Sequence, residues 1–272
     1  GHLYIHLKKY KESLKWLRLA EKQKPHEDMS AIYFDQADAL VRLKKYEEAL
    51  KMARKAVDDD RTDGDLWLMK APINYDVLSS ERLHDGFYKV DCLTFRYQCF
   101  SGNMSETISR EVVRRGEIVV AVPYDPIRDL VVLTKQWRVG ALAAQELPYC
   151  PKTIMPWVVE TVAGYMDPGE TPLIAASREV QEETGFEPKR LEEIGQVLTN
   201  PGISDEIAHL FYAEVDARKT GHVSGVEKEG EEILVTAIPA QEAFAMLDKW
   251  EIQKATSLVV LNWLRMNRGN LR

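Results

Sequence analysis

Residues 164–186 read GYMDPGETPLIAASREVQEETGF, and this stretch decides the fold. Glu179, Glu182 and Glu183 stand at i, i+3 and i+4, so a helix here gathers three carboxylates on one face. Like charges at that spacing destabilise an isolated helix. A hard divalent cation such as Mg²⁺, which takes oxygen ligands, is the compensation the pattern points to. Arg178, four residues before Glu182, can pair with it and hold the group in shape. The helix ends are well marked: Thr171 can serve as N-cap, Pro172 fills the first helical position, and Gly185 stops the helix. Leu173, Ser177, Val180 and Thr184 supply a thin inner stripe. Gly164 and Gly169 permit a tight loop that brings backbone carbonyls toward a cation.

Bulk properties bound the rest. The 272 residues admit one or two domains. Hydrophobic content of 45% with 29% charged residues is that of an ordinary globular protein. No apolar run approaches the ~20 residues of a transmembrane helix, and no membrane association is expected. The three cysteines, Cys92, Cys99 and Cys150, are odd in number and widely spaced. They argue against a disulfide framework or a zinc site and for a reducing cytoplasm. Residues 1–70 hold 15 Lys and Arg against 13 Asp and Glu; the remainder holds 21 against 30. So acidic a remainder is a poor partner for nucleic acid and suits a site that draws in divalent metal.

Two periodicities divide the chain. Over residues 1–70 helical stripes recur: KKYKESLKWLRLA (residues 8–20) superposes on KKYEEALKMARKA (residues 44–56) at a shift of 36. From about Tyr75 the pattern turns to strands, expected at residues 87–100, 116–122, 130–137, 157–162, 191–198, 208–215 and 232–238. Helices over residues 239–250 and 255–266 close the chain. Mixed strands with a few helices predict an α+β sandwich, preceded by an all-α helical-repeat segment. The expected boundary puts the repeats at 1–71 and the sandwich at 72–272.

Gly164, Glu170, Arg178, Glu179, Val180, Glu182, Glu183, Gly185 and Phe186 fill the pattern Gly-x5-Glu-x7-Arg-Glu-apolar-x-Glu-Glu-x-Gly-apolar. The stretch resembles the Nudix box of the Nudix hydrolases, which cleave nucleoside diphosphates linked to another moiety. The resemblance implies an α/β/α sandwich with a mixed sheet. Pro201, 16 residues after Gly185, resembles the mark of ADP-ribose pyrophosphatases within that superfamily. FYKVDCLTFRY, SREVVRRG, LVVLTKQWRVGAL, WVVETVAGYMDPGE, EGEEILV and AFAMLDKWEIQKATSLVVLNWL resemble the bacterial members over residues 75–268.

That resemblance implies Mg²⁺, or Mn²⁺ in its place, held by the Ala163 carbonyl, Glu179 and Glu183, with Glu182 assisting. It implies substrate contacts from Arg138 and Glu206, and adenosine contacts from Phe87 and Arg110 across a homodimer. The general base would lie in the loop GHVSGVEKEGE (residues 221–231), with Glu229 aligning best and Glu231 and Glu227 as rivals. The implied reaction is hydrolysis of ADP-ribose to AMP and ribose 5-phosphate. The alternatives are hydrolysis of another nucleoside-diphosphate sugar such as ADP-glucose, or a repeat-based binding module with a nucleotide-sensing domain. Residues 140–156 are longer than the link such a protein needs. They are expected to reshape the substrate pocket or to pack on the helical segment.

The N-terminal stripes resemble the tetratricopeptide repeat: Tyr46, Ala49 and Ala56, like Tyr10, Ser13 and Ala20, occupy its aromatic and small positions. A peptide partner is the functional expectation for such a surface. Gly1 falls inside the first helix of a repeat, which leads to the expectation that the chain is a fragment carrying more repeats upstream.

Overall fold

The computed structural model describes residues 9–23, 29–45, 48, 49, 51, 52, 55, 74–99, 101–218, 221–225, 230 and 232–271. The chain divides into two compact units, Gly1–Ser79 with Thr94–Ser109, and Ser80–Leu93 with Arg110–Arg272.

In the first unit, α1 (Tyr10–Gln23) and α2 (Met29–Arg42) pack through Leu14, Leu17, Ala39 and Leu40, and Ala49 joins the same cluster. The apolar stripe of the first repeat therefore faces inward, as its i, i+4, i+7 spacing requires. Gln36 is buried and donates to Glu21 at 3.1 Å, which satisfies a large polar side chain in that core. Of the second stripe, Ala49 is buried; Tyr46, Leu50, Ala53 and Ala56 lie outside the described residues.

Strands β1 (Tyr75–Asp85), β2 (Lys89–Tyr97) and β3 (Ile108–Arg114) form a three-stranded sheet in that order.

The second unit is built on a mixed sheet. Its strands are β4 (Glu117–Asp125), β5 (Leu130–Trp137), β6 (Trp157–Glu160), β7 (Val162–Tyr165), β8 (Arg190–Leu198), β9 (Ile207–Glu214), β10 (His222–Ser224) and β11 (Ile233–Pro239). The order is β10-β11-β5-β4-β9-β8, with β6 paired to β5 and β7 to β4. β4 and β9 run parallel, and the other pairs are antiparallel. β4 is buried almost throughout, so both its faces carry apolar side chains. Ile118, Val120, Val122 and Tyr124 enter one core with α5 (Ala240–Asp248) and α6 (Ala255–Asn267). Val119 and Ala121 enter the other, against α4 (Pro172–Thr184). The strand period of two thus yields helix, sheet, helix: the expected α/β/α sandwich.

Two local departures bear on the site. The single strand expected over residues 157–162 is two strands, broken at Thr161. There the Thr161 N–H donates to Ser257 Oγ at 3.0 Å, so a buried hydroxyl of α6 replaces a ladder partner. The segment 140–156 opens with α3 (Val139–Ala144), none of whose residues is buried, and continues as turns.

Candidate functional site

Helix α4 carries the site, and its ends are set locally. Thr171 is extended and its hydroxyl accepts from the Ile174 N–H at 3.4 Å; Pro172 begins the helix; Gly185 closes it at φ 69°. The inner face differs from the expected stripe. Ala175, Ala176, Glu179, Val180, Glu183 and Thr184 are buried, whereas Leu173 is 52% exposed. The three glutamates therefore divide: Glu179 and Glu183 face the sheet, and Glu182 is exposed.

Arg178 organises the carboxylates. Its guanidinium donates to Glu170 at 3.0 and 2.9 Å, to Glu179 at 2.7 Å, to Glu182 at 2.9 Å and to the Tyr165 carbonyl at 2.8 Å. The expected pairing with Glu182 is present, as one of four. Glu170 also accepts from the Asp167 N–H at 2.9 Å. The Arg178 bonds and this backbone donor hold the Glu170 carboxyl down at about 2. An open hollow of about 620 Å³ lies beside the helix, lined by Ile174, Ser177, Arg178, Gln181 and Glu182.

Glu183 is the opposite case. It is buried and accepts from Gln136 Nε2 at 2.7 Å and from the Ala163 N–H at 3.3 Å. Burial pushes its carboxyl up to about 8, against the hydrogen bond from Gln136 and the field of Lys254. Gly164, on β7 opposite Val119, has no side chain for a reason: a Cβ there would overlap the Glu179 carboxylate.

Among the described residues, no three His, Cys, Asp or Glu side chains stand in ligating array, since Arg178 lies between Glu170, Glu179 and Glu182. The donor set nonetheless fits a hard cation. It offers carboxylate oxygens at Glu179 and Glu183, a glycine cradle beside Glu179, and a buried acid whose donors do not offset the burial of its charged form.

Arg138, just past β5, binds Glu160 through Nε at 2.7 Å and Nη2 at 2.6 Å. Glu160 is wholly buried, and Lys254 Nζ reaches its other oxygen at 2.6 Å. Gln136 and Arg138 are two residues apart on extended chain, so they address the same side of β5. Glu206 is buried; it accepts from Arg115 Nε at 2.7 Å and Thr199 Oγ1 at 2.7 Å. Arg115 in turn lies 4.5 Å from the Tyr88 ring and 5.1 Å from that of Tyr165. Phe87 is 86% exposed and meets Tyr88 edge-on at 4.8 Å; Arg110 is exposed. Glu227, Glu229 and Glu231 lie outside the described residues. Their loop leaves from β10, which binds the end of α4: His222 Nε2 is 2.9 Å from the Thr184 carbonyl, and Ser224 Oγ donates to the Glu182 carbonyl at 2.8 Å.

Sequence reasoning passed over Gln136, Glu160, Arg115 and Lys254. Glu160 had a readable signal, a lone charge inside the apolar run WVVETVAGY. Gln136 shares a strand face with Arg138. Lys254 had no local signal, because its partner comes from a distant segment.

Comparison with known proteins gives the family. Residues 114–258 match the NUDIX domain, and residues 30–62 match a tetratricopeptide repeat. The chain belongs to the Nudix family and is a hydrolase. Within that family it is similar to the ADP-ribose pyrophosphatase of Escherichia coli K12, at 33% identity over 72% of this chain and 90% of the relative. It is similar to that of Haemophilus influenzae at 31%, over 72% and 88%, and to a GDP-mannose pyrophosphatase of Enterobacter at 26%, over 72% and 97%. A crystal structure described as an ADP compounds hydrolase shares the fold, with TM-score 0.54 at 20% identity over 72% of this chain and 96% of that one. No described helix is long and apolar enough to cross a membrane.

Proposed function

We propose that this chain hydrolyses the diphosphate of ADP-ribose to AMP and ribose 5-phosphate. The observation that carries the reading is the pair of inward carboxylates, Glu179 and Glu183, held by Arg178, Gln136 and the Gly164 cradle. The names of its relatives direct it to ADP-ribose.

Glu179 and Glu183 would hold Mg²⁺, or Mn²⁺, with Glu182 and the Ala163 carbonyl assisting. A bound divalent cation neutralises diphosphate charge and makes water a better nucleophile at neutral pH. Glu229 takes the proton of the attacking water, a role that typically contributes ~10²–10⁴-fold, with Glu231 and Glu227 as the alternatives on its loop. The attachment of β10 to the end of α4 supports that assignment, since the segment that carries these glutamates follows β10 in the chain. Water oxygen bonds to phosphorus, the bridging P–O bond breaks, and the leaving phosphate oxygen retains the electron pair. Arg138 supplies positive charge to the substrate phosphates, and Phe87, Arg110 and Glu206 bind its ends.

We further propose a cytoplasmic homodimer formed through the Nudix domain, the domain division 1–71 and 72–272, and a peptide partner for the helical repeats. The GDP-mannose pyrophosphatases among the relatives favour one second reading, hydrolysis of another nucleoside-diphosphate sugar. A panel of ADP-ribose, ADP-glucose and GDP-mannose, scored by nucleoside monophosphate release with Mg²⁺, tests both. ADP-ribose should have the highest kcat/KM; preference for another sugar nucleotide transfers the assignment, and no release from any refutes both.

A further inference from the structure

We propose that Glu160 and Lys254 are positioning residues that preset Arg138 for the anionic part of the substrate, with Lys254 keeping the guanidinium's charge available. The inference rests on the reading of Arg138 as a phosphate-binding residue.

Glu160 is wholly buried on β6, where an uncompensated carboxylate would be costly. Two cations compensate it on opposite oxygens. Arg138 binds Oε1 through Nε and Nη2, and Lys254 Nζ makes an ionic contact with Oε2 at 2.6 Å that is not aligned as a hydrogen bond. The guanidinium is thus fixed along one edge, and Nη1 makes no bond among the described residues. Its side chain is 37% exposed, so it is both anchored and accessible. Fixing an arginine before a ligand arrives removes ordering entropy that would otherwise oppose binding.

The charge count explains why a lysine is needed as well. Arg138 and Glu160 alone would cancel, leaving an ion pair with no net attraction for an anion. Lys254 restores one positive charge to the group. The effect matters because the whole chain carries −7 and would otherwise repel a diphosphate. The same network reaches the box carboxylates, because Gln136, on the Arg138 side of β5, holds Glu183. Lys254 stands at the N-cap of α6, and Ser257, one turn on, holds Thr161 beside Glu160. The final helix therefore clamps the strand break from which β7 leads into the box.

The test is calorimetric titration of the full chain with ADP-ribose in EDTA, where binding is read without turnover, and with inorganic diphosphate as a second ligand. Lys254→Met should weaken binding on the order of 10-fold, and Lys254→Arg should restore it. In an Arg138→Ala background Lys254→Met should weaken binding clearly less than it does in the wild type, because the part that acts through the guanidinium is already gone. With Mg²⁺, Lys254→Met should raise KM and leave kcat within about threefold. If Lys254→Met fails to fold, Lys254→Gln, which keeps a donor to Glu160, takes its place. Unchanged affinity, or additive losses in the double variant, overturns the inference while leaving the hydrolase reading intact. Binding that follows these expectations without AMP release overturns the substrate assignment and leaves the positioning role standing. A wild-type chain that binds neither ligand in EDTA overturns the inference outright.

Discussion

Gly164→Ala separates the stability of the fold from the competence of the site. Gly164 sits in the β4–β7 ladder opposite Val119, and its φ lies outside the left-handed region, so alanine is compatible with the backbone. The difficulty is spatial: the new methyl would occupy the position of the Glu179 carboxylate. That carboxylate is the far end of a flexible side chain and can turn aside. Turning aside forfeits the 2.7 Å bond from Arg178, worth about 1 kcal/mol, and adds about 1 kcal/mol for an unfavourable rotamer. Arg178 keeps Glu170, Glu182 and the Tyr165 carbonyl. A cost of about 2 kcal/mol lowers Tm by about 4–8 °C in a domain of this size. The loss at the metal site is larger in consequence. Displacing one carboxylate should raise the Mg²⁺ concentration for half-maximal activity on the order of 10–100-fold. The assay is AMP release from ADP-ribose against Mg²⁺, with thermal melts in EDTA and in Mg²⁺. An unchanged Mg²⁺ requirement would show that Glu179 does not hold the cation. A much larger drop in Tm would show that Gly164 serves the backbone instead.

Glu183→Gln removes a carboxylate whose burial holds it at about 8 and replaces it with a neutral isostere. Turnover at saturating Mg²⁺ should vanish while Tm in EDTA stays level or rises; near-wild-type turnover would sink the ligand role. Glu229→Gln should cost at least about 10²-fold in kcat and Glu227→Gln little, so equal losses would refute Glu229 as the base. Asp125→Ala tests the fold away from the site. Asp125 is buried and accepts from the N–H groups of Ile127, Arg128 and Ala217, at 3.0 Å each, and from the Arg128 guanidinium. Burial raises its carboxyl, but these donors outweigh burial and hold it below the ordinary value. Its removal should cost about 3 kcal/mol at pH 7 in urea unfolding. Because the folded-state value is the lower one, this contribution is present above the unfolded value of about 3.9 and fades as pH falls through the folded value. The gap between variant and wild type should therefore narrow from pH 5 to pH 2.5, and a constant gap would refute the argument.

What the sequence disclosed follows from how local each signal is. Thr171, Pro172 and Gly185 act within one turn, so the limits of α4 were legible to the residue. The strand period of two in β4 and β9 gave the layered sandwich, because each strand sorts its side chains without help from the rest of the chain. The buried face of α4 was not legible. Leu173 looks like a core residue, yet Glu179 and Glu183 take inner positions, because β5 and β7 offer donors and a glycine there. Glu206 was singled out, but its coupling to Arg115 and the two tyrosine rings arises only when strands remote in sequence meet. Arg138 was legible as a charge at a strand end, whereas its partners Glu160 and Lys254 were not.

The division of the glutamates explains how one short helix can be both stable and reactive. Four carboxylates around one guanidinium would repel strongly if all were equally charged and exposed. Arg178 resolves the outer set, holding Glu170 charged down to about pH 2 and drawing in Glu179 and Glu182. Burial resolves the inner one, since Glu183 can carry a proton near neutral pH at no cost in repulsion. The helix thus keeps in Glu183 a buried acid whose charged form a cation would stabilise. Binding a divalent ion should then release protons near pH 7, since the ligands must be deprotonated. Proton release on adding Mg²⁺, measured by calorimetry in buffers of different ionisation enthalpy, should therefore be seen in the wild type and be reduced in Glu183→Gln. Equal release from both would place the displaced proton elsewhere.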